Sequence, residues 1–291
     1  MGVTLSRYDR GLTESGVVMI VLSPESFSMT APLPTVDLLG MQLACVNVQR
    51  LLDHLFSELS VGRGGWLITA NVDFLRRYSR DTAIRRLYDA ADMRVADGMP
   101  LVWALALQGK PLPGRIAGAS LLAPLARRAA AEGRSLFLLG GTPEANRVAA
   151  VRLVERNPGL RIAGLASPRI SDPVAPEELD AVVADLRRQP PDILLVGLGS
   201  PKQERLIEPL RALFPATWMI GVGVSFSFVA GHIRRAPPWL RRSGLEWAHR
   251  LAQEPDRLAR RYLLENAPFA AELLGSSLAQ AVAARLRHKL G

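Results

Sequence analysis

From Val36 to Gly223 short apolar runs alternate with stretches whose apolar residues recur at helical spacing. That is the pattern of a parallel sheet with helices on both faces, built from doubly wound βα units. The predicted strands are "WLITA" (66–70), "MRVA" (93–96), "LFLLG" (136–140), "LRIAGL" (160–165), "ILLVGLG" (193–199) and "WMIGVG" (218–223). Helices are predicted near 47–60, 72–90, 99–108, 119–132, 143–156, 176–188 and 201–213. Three of them carry start signals: Asn47, Thr142 ahead of Pro143, and Ser200 ahead of Pro201.

Past Gly231 the pattern changes, with prolines at 237, 238, 255 and 268 punctuating short helices. Leu245, Ala248, Leu251, Leu258 and Tyr262 fall near one helical face there, with arginines on the others. Such a segment either lies in a membrane interface or packs on its own domain, and periodicity leaves both open. The chain thus divides into an unassigned N-terminal extension (1–35), an α/β core (36–231) and a basic helical appendage (232–291). The run "GVVMIVL" in the extension reads as a leader or an edge strand. No apolar run approaches the roughly 18–20 residues needed to span a bilayer.

Charge sharpens this division. Of a formal +9 over 291 residues, a net +6 falls between His232 and Gly291, where eleven Arg or Lys face five acids. The patch suits a polyanion: nucleic acid, an anionic bilayer or a diphosphate. Nucleic-acid binding would call for aromatics interleaved as stacking platforms, whereas Trp239, Trp247, Tyr262 and Phe269 are spaced as helix-face residues. A single cysteine, Cys45, excludes a disulfide framework and any multi-cysteine zinc site, and fits a reducing cytosol.

In an open parallel sheet, ligands sit beyond the carboxyl ends of the strands, and those positions are polar here. They include Thr69, Asn71 and Asp73, then Asp97, then Ser200, Lys202 and Gln203, then Ser225 and Ser227. "LLGGTPEA", with Gly140 and Gly141, and "GLGSPKQE", with Gly199, each run from strand through glycine into a helix start, which lets a backbone approach phosphate. Neither completes a dinucleotide fingerprint or a P-loop. Asp97, at a strand end among apolar groups, reads equally as a general base or as the N-cap of the following helix. Arg115, after a Pro-Gly turn, reads as a phosphate clamp or a surface pair. No two aspartates stand two apart, so the D-x-D motif that holds a metal–diphosphate is missing, and the four histidines show no metal spacing. Chemistry without a metal would place arginine, lysine and backbone amides around a leaving diphosphate.

Taken in order, "TANVD", "ADGMPLVWA", "LPGRIAGASLL", "FLLGGTPEA", "PDILLVGLGSPKQE", "GVGVSFSFVAGHIRRAPPW" and "GLEWAHRLAQEPDRLARRY" span about 36 to 263. The series strongly resembles the WecG/TagA/CpsF glycosyltransferases, glycosyltransferase family 26. The resemblance implies a Rossmann-like α/β core with a C-terminal helical appendage. It further implies inverting transfer, without a cofactor or metal, of a hexose-type sugar (glucose, N-acetylmannosamine or its uronic acid). The donor would be a UDP-sugar and the acceptor a sugar on a polyprenyl diphosphate, in bacterial cell-surface or exopolysaccharide synthesis. The enzyme would be cytoplasmic and peripheral on the inner face of the membrane, held by its basic tail, with no nucleic-acid partner and with a homo-oligomer left open. Carried over by motif, Asp97 is the base, Thr69 and Asn71 line its cleft, and Arg115 stands near the donor diphosphate. Gln203 contacts the donor, and Arg250, Arg257 and Arg260 close over the site. The chain departs from the family's "GVGGxFDxxxG" in having Val224 for a glycine and Ser227 for the aspartate, which bears on donor affinity or donor choice.

Overall fold

A computed structural model of the protein describes residues 32–290. Most of the N-terminal extension, including "GVVMIVL", lies outside the described residues. The described chain opens with a hairpin that the hydrophobic pattern does not announce, β1 (Thr35–Leu38) against β2 (Met41–Ala44). Its two turn residues, Leu39 and Gly40, both have positive φ, the geometry of a tight hairpin turn. Leucine is an unusual residue there, and with strands of only four residues the signal in the sequence is faint.

The main sheet has six parallel strands: β3 (Gly65–Ala70), β4 (Met93–Ala96), β5 (Ser135–Gly140), β6 (Arg161–Ala166), β7 (Ile193–Gly197) and β8 (Trp218–Gly221). Their spatial order is β4-β3-β8-β7-β5-β6. Alternate residues of each central strand face opposite cores. Trp66, Ile68, Phe137, Leu139, Leu194, Val196 and Met219 join one buried cluster, and Leu67, Leu136, Leu138, Ile193, Leu195, Trp218 and Ile220 join the other. The first cluster is closed by α2 (Val72–Arg80), α3 (Thr82–Asp89), α4 (Met99–Leu107), α7 (Pro176–Arg188) and α8 (Lys202–Leu213). The second is closed by α1 (Val48–Ser60), α5 (Gly118–Ala131), α6 (Pro143–Arg156) and the short α9 (Ser225–Val229). This is the expected α/β, Rossmann-like layering.

Two helix starts behave as predicted: Asn47 accepts from Arg50 N, and Thr142 accepts from Ala145 N with Pro143 in the first turn. The helix predicted over 72–90 is two, because the Asp81 carboxylate accepts from Ala83 N and Ile84 N and starts α3 afresh. Ser200 does not cap α8; the cap position is Pro201, and the Ser200 hydroxyl instead bonds the Tyr88 hydroxyl at 2.9 Å. The runs predicted to reach 199 and 223 leave the sheet at Gly197 and Gly221, so their last residues form loops at its carboxyl edge.

After α9 come α10 (Pro238–Arg242), α11 (Glu246–Gln253), α12 (Pro255–Ala259), a π-helical stretch (Arg260–Asn266) and the long α13 (Ala267–Leu290). The single amphipathic face expected for Leu245 to Tyr262 is therefore spread over several elements. Leu258 is fully buried whereas Leu245 is exposed. Pro268 does not interrupt the helix: it is the second residue of α13, directly after the π-helical stretch, and the chain runs on helically through Ala267, whose N–H donates to Tyr262 O. The appendage is seated on the core. Phe269 and Leu273 of α13 enter the cluster that holds Leu101, Ala104 and Leu105 of α4, and Gln108 donates to the buried Ser277 hydroxyl at 2.9 Å.

Candidate active site

A cavity of about 560 Å³ opens at the carboxyl edge of β4, β3, β8 and β7, four neighbouring strands. Each supplies residues at or just past its carboxyl end: Asp97 and Gly98, Thr69 and Asn71, Gly221 to Ser225, and Gly199, Ser200 and Gln203. The appendage forms the far wall with Glu246, Trp247, Arg250, Arg257, Arg261 and Tyr262. Strand order explains which predicted residues are absent. β7 stands between β8 and β5, so the turn after β5 falls outside the cavity lining. Gly140 and Gly141 are small for another reason, since a Cβ on Gly140 would lie 2.8 Å from Gly197 O and one on Gly141 3.3 Å from the Phe226 ring. Lys202 also lies outside the lining, within electrostatic reach of Glu178 on α7.

Asp97 follows β4 directly, and its N–H donates to Ala70 O at 2.7 Å, locking it beside the end of β3. The cap alternative is not realised: Gly98 is the cap residue of α4 and receives no side-chain bond. The Asp97 carboxylate instead accepts from Gly118 N, at 3.5 Å, and lines the cavity. Desolvation pushes its pKa up to about 6 from 3.8. Arg115, the Gly118 N–H and Arg235 oppose that rise, and Glu246 adds to it.

Thr69 and Asn71 serve the scaffold as well as the cavity. The Thr69 hydroxyl donates to Gly221 O at 3.4 Å, across β3 and β8, and the Asn71 side chain caps α2 by accepting from Asp73 N and Phe74 N. Gln203 is likewise committed. Its Oε1 accepts from Gly199 N and from Gly223 N, both at 3.2 Å, and so joins the two glycine loops after β7 and β8. Its Nε2 donates to Glu204 at 2.7 Å, and burial pushes the Glu204 pKa up to about 7. A Cβ on Gly221 would come within 2.4 Å of Gln203 Nε2, so glycine is required there for this amide to fit.

The cationic side of the cavity has two parts. Arg115 and Arg235 are both held by Glu246 of α11, at 2.8 and 3.2 Å. Arg250 pairs with Glu254 at 3.2 Å and lies over the Phe228 ring, while Arg257 pairs with the same Glu254 at 2.7 Å. Arg261 lies against the Tyr262 ring, and no ion pair to it occurs among the described residues. The Nε groups of Arg250 and Arg261 are buried without a hydrogen-bond acceptor, an arrangement ready for an incoming anion. Arg260, the residue expected to close over the site, points away with its side chain 86% exposed. The lining thus holds Arg261 where the resemblance implies Arg260, and adds Arg235 and Glu246; all three sit in the motif-rich segments "LARRY", "GHIRRAPPW" and "GLEWAHR".

Val224 lines the cavity with φ −79°, a conformation open to any L-residue, so the exchange for glycine places an isopropyl group on the wall without backbone strain. Ser227 lies outside the lining. Among the described residues no three His, Cys, Asp or Glu stand together as a metal-ligand set, and no helix is long and apolar enough to cross a membrane.

Asp97, the one lining carboxylate without an ion-pair partner among the described residues, and several guanidinium groups meet at the carboxyl edge of a parallel sheet, an arrangement suited to chemistry on an anionic substrate. The chain belongs to the glycosyl transferase WecG/TagA/CpsF family, whose sequence model matches residues 36–283. It is accordingly a glycosyltransferase of this type, of the kind that acts in cell-surface polysaccharide synthesis.

Proposed function

We propose that the enzyme transfers a hexose-type sugar from a UDP-sugar to a sugar carried on a polyprenyl diphosphate, inverting the anomeric centre without a metal. The observation that carries this reading is the Asp97 carboxylate, with proton affinity raised by burial, facing a cavity lined by arginines of both core and appendage. A carboxylate with a pKa near 6 is ionised at neutral pH yet basic enough to accept a proton from a hydroxyl as that hydroxyl becomes a nucleophile. In the transfer step the acceptor oxygen bonds to the anomeric carbon as the bond from that carbon to the diphosphate oxygen breaks. The hydroxyl proton passes to Asp97, and UDP departs with the bonding pair. Arg250, Arg257 and Arg261, together with Arg115, take up the growing negative charge in the place a metal would hold.

A lipid-linked acceptor is supported by a second opening. An apolar groove of about 620 Å³ lies between α4 and α13, lined by Trp103, Ala106, Leu107, Leu274, Gly275 and Leu278. Trp103 and Leu274 line the reaction cavity as well, so groove and cavity share a wall. Exposed Leu278, Val282 and Leu286 continue the apolar line along one face of α13. An acceptor with a charged head and a hydrocarbon tail matches this sequence of surfaces. The exposed basic residues Arg285 and Arg287 at the end of α13 fit an anionic membrane surface.

The test is to supply UDP-glucose, UDP-N-acetylmannosamine and its uronic acid in turn, with a polyprenyl-diphosphate-linked sugar and EDTA. The expected result is UDP release from one donor only when the acceptor is present, with inverted linkage in the product. Retained configuration, or activity abolished by EDTA and restored by a divalent cation, would contradict the mechanism. Failure to release UDP from any donor would contradict the donor assignment.

A further inference from the structure

We infer that Glu246 is a positioning residue for the transfer step: by bracing Arg115 and Arg235 at the cavity edge, it couples the docking of α11 to the readiness of Asp97. The inference rests on the reading of Asp97 as the base. Its foundation is a cluster of four charged groups drawn from four parts of the chain. Asp97 follows β4, Arg115 precedes α5, Arg235 follows α9, and Glu246 opens α11. All four line the one cavity.

Glu246 is shared between its partners, with Oε2 2.8 Å from Arg115 and Oε1 3.2 Å from Arg235. All three side chains are largely buried, at 15%, 16% and 22% exposure for Glu246, Arg115 and Arg235, so these pairs are poorly screened by solvent. Arg235 is fixed further by donating to Ala119 O at 3.2 Å and to the Ser120 hydroxyl at 2.6 Å, at the start of the helix whose Gly118 N–H meets Asp97. The pairing therefore runs from appendage to core at the point where the base is held. Desolvation alone would raise the Glu246 pKa, but hydrogen bonds and charge from Arg115 and Arg235 hold it below the usual carboxylate range, so it stays ionised.

Charge balance gives this arrangement its consequence. With Glu246 docked, two cations and two carboxylates leave the cluster neutral, and Asp97 keeps its proton affinity. Without that carboxylate, two guanidinium groups would act on Asp97 unopposed and make it a weaker base. As the acceptor proton reaches Asp97, the docked cluster gains one positive charge while UDP gains one negative charge beside it. The other charged groups of the cavity are accounted for locally. Asp73 is paired with Arg76 and Arg77, Arg250 and Arg257 are paired with Glu254, and Arg261 lies against Tyr262.

The experiment is a carbon-13 carboxyl titration of Asp97 in the ligand-free full chain, alongside the pH profile of kcat. Glu246→Gln keeps the shape and removes the charge, so the Asp97 midpoint should fall by about one unit, with the acid limb of kcat moving equally. Glu246→Asp should restore part of the shift, and Arg235→Gln should move the midpoint upward. UDP affinity should hold or improve in Glu246→Gln, because Arg115 is released. An unmoved midpoint in both Glu246→Gln and Arg235→Gln, or a fall in kcat with an unmoved midpoint, would overturn the inference and leave Glu246 as a strut. The titration uses no substrate, so absence of turnover with every donor would count against the reaction assigned above and leave the coupling result standing.

Discussion

At the scale of single residues, Asp97 illustrates how one side chain can be legible in type and open in role. A strand-end aspartate ahead of an apolar helix has two ordinary uses, and the sequence holds both. The structure excludes the cap, because Gly98 takes that position and the carboxylate turns to Gly118 N. A carboxylate whose folded pKa is raised binds its proton more tightly than in the unfolded chain. Its stabilising contribution is therefore fully present below about pH 4 and is lost as pH rises toward about 6. Asp97→Asn should accordingly raise the unfolding free energy at pH 7 by about 1–3 kcal/mol, and this gain should vanish near pH 3.5. Thermal melts of both proteins across that range check the sign. A destabilised Asp97→Asn protein at neutral pH would contradict a desolvated carboxylate. In the wild type, kcat/KM should fall as pH drops below about 6, where Asp97 takes up its proton.

At the scale of elements, the six strands of the main sheet and most helix starts follow from apolar periodicity and cap residues, because both are local, whereas the four-residue strands of the opening hairpin do not. Strand order is not local. Nothing in "LLGGTPEA" shows that β7 and β8 lie between β5 and β3, and so Gly140 and Gly141 look as close to the site as Gly199 does. The tail shows the same limit. The resemblance implies that Arg250, Arg257 and Arg260 act together, but the chain breaks at Glu254 before α12 and then winds as a π-helix from Arg260 to Asn266. The break and the wider turn rotate Arg261 into the cavity and Arg260 out of it. Removing Arg261 should therefore lower kcat/KM for the donor by about 10²–10³-fold, the range for losing one preorganised group that stabilises developing charge. Arg260→Ala should change it by less than about twofold, as expected for a solvated side chain. Steady-state kinetics on the two variants decide the matter, and a loss in Arg260→Ala as large as that on removing Arg261 would restore the set that the resemblance implies.

At the scale of the whole molecule, the excess positive charge near the C-terminus is recognisable from composition, while its division of labour is not. Arg235, Arg250, Arg257 and Arg261 line the cavity, Arg260 faces Glu265 of the appendage itself, and Arg285 and Arg287 stand exposed at the end of α13. The appendage is also part of the fold. Phe269 and Leu273 bury against the α4 side of the core, together about 3–6 kcal/mol of apolar transfer. Truncation ahead of Ile233 should therefore lower the melting temperature as well as remove Glu246, Arg250, Arg257 and Arg261 from the site. A gentler perturbation separates lipid from chemistry. Leu278→Glu with Val282→Glu should weaken binding to anionic vesicles and raise KM for the polyprenyl-linked acceptor, while UDP affinity stays unchanged. An unchanged acceptor KM would contradict the apolar path along α13.

The most direct test of the central claim is turnover by Asp97→Asn, measured as UDP released from the cognate UDP-sugar and lipid-linked acceptor, with UDP affinity determined on the same preparation. Loss of a general base predicts a fall in kcat of about 10²–10⁴-fold, with UDP binding within about twofold of wild type and a melting temperature at or above it. Turnover within about tenfold of wild type, in a protein that binds UDP normally, would contradict Asp97 as the base.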